Sequence, residues 1–141
     1  MKEGIKMEKF LETVKYGVAG VGTALTWLLG AWDTAIIVLI AFMVIDYATG
    51  LVKGWYKKEL SSDVGLKGIA RKFLIVLVLC VAVLLDRLLN TGTWVFRTLA
   101  CYFYIANEGI SILENVVVLG LPVPEQLKNA LIQIQDKNKT E

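Results

Sequence analysis

The sequence predicts an all-α integral membrane protein, a single membrane domain of about four transmembrane helices with amphipathic helices at its N- and C-terminal ends. Three observations carry that expectation. Hydrophobic residues make up 56% of the 141 positions, and the mean hydropathy is +0.60, well above the balance of a soluble chain. Long apolar runs recur at lengths suited to a hydrocarbon core of about 30 Å. The basic residues are unevenly placed, with Lys53, Lys57, Lys58, Lys67, Arg71 and Lys72 clustered between two of those runs. Function classes are excluded as well. There is no histidine, the commonest general base and transition-metal ligand. No thiol motif, phosphate loop or metal-ligand spacing is present, so the expectation is no enzyme, no cofactor and no metal. Cys80 and Cys101 sit in apolar runs and read as buried free thiols.

Residues 1–15 mix lysines and glutamates, while Met7, Phe10, Leu11, Val14 and Val18 recur at helical spacing. That pattern predicts an amphipathic helix at a membrane surface running directly into the next segment. A secretory signal peptide is the competing reading, but its basic region would not carry Glu3, Glu8 and Glu12. Residues 16–32 are free of charge and form the first candidate span, the shortest of the four. Small residues Gly22, Thr26 and Gly30, with Gly20 beside them, are spaced for close helix approach in lipid. The alternative is three spans, with this segment lying in the interface.

Asp33 marks a tight turn, and residues 34–53 form the second span. Its one acid within the apolar run is Asp46. Thr49, Gly50 and Lys53 share that face, so Asp46 pairs either with Lys53 or with another helix, and Gly50 with Gly54 adds a small-residue contact. Residues 54–71 form a basic loop in which Ser61 caps a new helix with Leu66, Ile69 and Phe73 as its apolar stripe. Between two spans, such a loop is read as lying near anionic lipid rather than binding nucleic acid. Residues 72–89 are the third span, with Asp86 and Arg87 at its far end. A turn at Asn90, Thr91, Gly92 and Thr93 leads to the fourth span, 94–115, and Asp86, Arg87 and Arg97 can neutralise one another at that boundary. Pro122 and Pro124 end that helix, and Leu127, Leu131 and Ile134 make a short amphipathic surface helix within the final segment, 116–141.

The fourth span contains the most unusual composition. Glu108, Ser111 and Asn115 fall on one helical face, and Asn107, Ser111 and Glu114 form an adjoining row. Moving an acid to the centre of a membrane helix costs roughly 2.5–3.5 kcal/mol even on lenient scales, so such residues face protein or water. Asp46, Thr49, Gly50, Glu108, Ser111, Glu114 and Asn115 are therefore the candidates for helix association or pore lining. With four spans, thirteen basic residues lie on one side and Arg87 and Arg97 on the other. The positive-inside rule then puts both termini in the cytoplasm.

In order along the chain, Gly30-Ala31-Trp32-Asp33, Asp46-Tyr47-Ala48-Thr49-Gly50, the segment 61–72 with Gly65 and Gly68, the block 107–115 and Pro122-Val123-Pro124 resemble the multi-span toxin-secretion/phage-lysis group of phage holins. The resemblance implies a protein that accumulates in the bacterial cytoplasmic membrane, oligomerises, and opens lesions at a set time. The released cargo would be a cell-wall hydrolase (endolysin) or a toxin, with an antiholin or a second-start isoform as a further partner. It supplies no catalytic residues. It also gives Met7 two readings, a second translation start or simply an apolar position of the first helix. On the residues alone, a small ion channel or transporter and an antiholin-type regulatory subunit stand as alternative functions.

Overall fold

The computed structural model describes the backbone of residues 2–137 and the side chains of 4–136. Met1 and the polar tail at 138–141 lie outside the described residues. All regular elements among those residues are helices, in the order α1 (Lys2–Leu29), α2 (Thr34–Tyr56), α3 (Ser62–Leu88), α4 (Val95–Val118) and α5 (Glu125–Lys137). Two units divide the chain, Met1–Trp32 and Asp33–Glu141.

The first unit is α1, which joins the amphipathic stretch to the first apolar stretch without a break. Its 28 residues extend about 42 Å. The hydroxyls of Thr13, Thr23 and Thr26 donate to the carbonyls of Lys9, Ala19 and Gly22 one turn back, which satisfies them without water. Gly30, at φ 85°, stops the helix in a conformation that side chains disfavour. The Trp32 indole then donates to Thr26 Oγ1 at 2.6 Å.

The second unit is built around α4. Asp33 caps α2 by accepting from the Ile36 N–H at 3.1 Å, and Ser61 caps α3 by accepting from the Val64 N–H at 3.3 Å. Each replaces one backbone acceptor that a helix start lacks. The basic segment 54–71 is thus mostly helix, since only 57–61 connects α2 to α3. At the other end of α3, Asn90 takes a left-handed conformation, φ 48°, and turns the chain toward α4.

Of these helices, α2 and α3 are long and apolar enough to cross a membrane. α4 carries Arg97, Glu108 and Glu114 along its length. Yet α4 is the central element, packing most extensively on α2 and also on α3 and α5, whereas α2 and α3 scarcely touch. The core is a set of residues at helical spacing: Ile36, Leu39 and Met43, then Ile75, Leu79 and Val83, then Cys101 and Ile105. Outward-facing positions include Ile37 and Val44 on α2 and Leu74, Leu77, Val81 and Leu88 on α3. Apolar faces of α2 and α3 point outward while Asp46, Asp86, Arg97, Glu108 and Asn115 are buried, the reverse of a water-soluble domain. Cys80 and Cys101 are free thiols.

The C-terminal helix does more than cover a surface. α5 folds back along α4 and buries Leu131 at Gly109, where an added Cβ would lie 2.9 Å from both Leu131 methyls and 3.1 Å from Phe42. Gln135 donates to Asn107 Oδ1 beside it at 2.5 Å.

Candidate functional site: two ionic clusters inside the bundle

Three helices of the second unit each contribute one charged group to a buried cluster. Asp46 comes from α2, Lys72 from the second half of the basic segment, now part of α3, and Glu108 from α4. The Lys72 ammonium donates to Asp46 Oδ2 and to Glu108 Oε2. Glu108 is 0% exposed and Asp46 9%. Asn115, two turns beyond Glu108 on the same face of α4, donates to Asp46 Oδ1 at 3.2 Å and to Thr49 Oγ1 at 3.1 Å. Thr49 in turn donates to the Ile45 carbonyl at 2.9 Å. Gly50 faces the Asn115 amide, 3.8 Å from the position a Cβ would take. Glu108 Oε1 has no hydrogen-bond partner among the described residues. Two carboxyls therefore share one ammonium in a site with little access to water.

A second cluster closes the opposite end of the same helices. Arg97, 2% exposed, makes a two-pronged pair with Asp33, Nη1 to Oδ2 at 2.8 Å and Nη2 to Oδ1 at 3.0 Å. Trp94 begins α4 without a side-chain cap, and Asp86 of α3 takes that role. It accepts from the Phe96 and Arg97 N–H groups at 3.1 and 2.8 Å and from the Thr91 hydroxyl at 3.0 Å. The Arg87 and Arg97 guanidinium groups lie 5.8 and 5.9 Å from the Trp94 ring centre. Between the two clusters run 11 to 14 residues of each helix, a distance of roughly 17–21 Å.

Arg97 beside Asp33 holds that carboxyl below its ordinary value of 3.8. A lowered folded-state value stabilises the fold above the ordinary value, and the contribution is lost as pH falls through the folded-state value. Because Asp33 is 46% exposed, solvent screening keeps the effect small. Asp33→Asn retains a capping group but loses the charge. Acid titration of detergent-solubilised wild type and Asp33→Asn, followed by helical circular dichroism, should show the two converging in stability below about pH 4; an unchanged gap would rule out the ion pair as its source.

The remaining sequence candidates take varied positions. Ser111 lines a cleft with Asp46 and Asn115, together with Lys53 and Arg71. Glu114 is exposed and faces a separate groove with Glu125 and Lys128. Lys57, Lys58 and Lys67 are exposed. Gly54 packs against Leu60 of its own connection, 3.4 Å from the added-Cβ position. In α1, Gly20 and Gly22 have open space at that position, while Thr26 holds Trp32. Two partners escaped the sequence reading: Lys72, assigned there to the basic loop, and Asp33, read only as a turn. Counting depth from the helix ends would have suggested the first, because Asp46, Lys72 and Glu108 lie at comparable distances from the opposite cluster.

A helical unit with lipophilic side chains outward and its ions paired within defines an integral membrane protein. Among the described residues no group of side chains is arranged to hold a metal. The chain belongs to the bacteriophage holin family, whose profile matches residues 23–136, a family of membrane proteins that turn over no substrate. It is 56% identical, over 93% of its length and 99% of the relative's, to an "uncharacterized 14.9 kDa protein in nagH 3'region" of Clostridium perfringens. It is 42% identical to an uncharacterized protein of Listeria monocytogenes over 89% of each chain. A "probable holin" of Bacillus phage phi105 is 39% identical over 73% of this chain and 77% of that one. No solved structure matches.

Proposed function

We propose that the protein is a holin that crosses the bacterial cytoplasmic membrane with α1 to α4, keeps both termini in the cytoplasm, oligomerises, and forms timed lesions that release an endolysin or a toxin. Membership of the holin family is the observation that carries this reading. The geometry supports it in a specific way. Asp46 and Glu108 are turned toward Lys72, and Asn115 toward Asp46 and Thr49, inside one subunit, so the closed form offers lipid an apolar surface and stores its polar groups internally. Opening then consists of exchanging these contacts for water at an interface between copies, with the open face of Gly20 and Gly22 on α1 available for close helix approach.

Induced expression in bacteria with a co-expressed cytoplasmic cell-wall hydrolase tests the reading. The expected result is an abrupt growth arrest with loss of membrane potential and release of the hydrolase. Depolarisation with the hydrolase retained would indicate a small ion channel, and insertion without lethality an antiholin-type subunit. Asp46→Asn and Glu108→Gln, made separately, should each change the time of lysis while membrane insertion persists. Wild-type timing in both variants would remove the cluster from the mechanism.

A further inference from the structure

A cleft of 270 Å³ opens between α2 and α3, with α4 as its floor. Its walls carry Lys53, Arg71 and Lys72 against a single carboxylate, Asp46, which Lys72 already pairs. Among the described residues, the Lys53, Arg71 and Ser111 side chains make no hydrogen bond or ion pair, so three donors face the space unused. Gly68 makes room at its edge, where an added Cβ would lie 3.1 Å from the Tyr47 ring. Leu51 and Val64 complete the lining with apolar surface.

The depth of the cleft identifies the chemistry it suits. Trp55 and Tyr56, just beyond Lys53 on α2, are 72% and 62% exposed, and such aromatic pairs sit at the headgroup level of a bilayer. A cationic, donor-rich cavity between membrane helices at that level matches a phosphate carried on an apolar body. We propose that this cleft binds the phosphodiester headgroup of an anionic glycerophospholipid, with Lys53 and Arg71 on the phosphate oxygens and Ser111 donating from the floor. The site rests on the membrane reading of α2 and α3 but not on lysis.

The test uses the full chain in nanodiscs of phosphatidylcholine with a minor fraction of phosphatidylglycerol, with native mass spectrometry reading the lipid that remains bound. Wild type should retain phosphatidylglycerol selectively. The double variant Lys53→Gln/Arg71→Gln should weaken that retention about thirtyfold, whereas Lys57→Gln/Lys58→Gln, which removes the same charge outside the cleft, should leave it within about twofold. Arg71→Lys should keep most of the binding and thereby report an intact fold. Equal losses in the two double variants would overturn the site in favour of diffuse attraction to the surface. Displacement of the lipid by millimolar inorganic phosphate would overturn the lipid assignment in favour of a soluble anion. A chain that fails to enter nanodiscs would refute the membrane reading itself, a result distinct from entry without selective retention.

Discussion

Replacing Lys72 by Met is expected to lower the unfolding free energy of the detergent-solubilised protein by about 3–5 kcal/mol, the usual consequence of removing one partner from a buried ion pair. The reason lies in what remains. Asp46 and Glu108 would face each other with no cation between them, and Glu108, already short of one hydrogen bond at Oε1, would lose its only other partner among the described residues. Met fills most of the space of the lysine stem, so a cavity contributes little. The companion variant Lys72→Met/Asp46→Asn/Glu108→Gln removes both acids along with the cation. It should recover most of the loss, because a neutral cluster no longer holds uncompensated charge. Denaturant titration followed by circular dichroism distinguishes the cases. A single-variant effect below about 1 kcal/mol would put the cluster in the class of exposed ion pairs, where contributions are that small.

Gly109→Val is expected to be the next most damaging change, at about 1–3 kcal/mol of overpacking. The first added carbon meets two methyls of Leu131 at 2.9 Å and Phe42 at 3.1 Å, and the branched side chain adds atoms to the same space. α4 is held by α2 and α3, whereas α5 is short and packs on α4. The strain is relieved by displacing α5. Hydrogen–deuterium exchange should therefore rise in residues 125–137 while the exchange of α2 and α4 stays low. Combining the change with Leu131→Ala should restore protection of α5. Uniform exchange across all helices would mean that Gly109 supports the whole unit and not this contact alone.

Much of the fold was legible in the residues because lipid-facing helices must be apolar along their length. α2 and α3 declared themselves this way, and Ser61 announced the start of α3 through the chemistry of capping, whereas Asp33 read only as a turn. The polar face of α4 was legible too, since Glu108 and Asn115 two turns apart in an apolar run demand a shared environment. Their partner was not. A lysine at the end of an apolar run gives the same pattern whether it reaches out to the interface or turns inward, and Lys72 turns inward. Periodicity supplies depth along a helix but not the direction of the neighbour that meets it. Asp33 was hidden for a similar reason, because the turn accounted for it before its pairing with Arg97 across the fold was visible. The partner of α5 was equally concealed, as Leu131 advertises an apolar face without naming Gly109 as the surface beneath it.

The sharing of one ammonium by two carboxyls has a consequence for how such a structure fails. The attraction between these charges varies inversely with the polarisability of their surroundings, so a dry interior strengthens the pairing that keeps it dry. A few solvent molecules reaching the α2–α3 cleft would weaken that same pairing and ease the entry of the next. In the lytic protein proposed above, such self-reinforcing loss would make separation of the cluster abrupt rather than gradual.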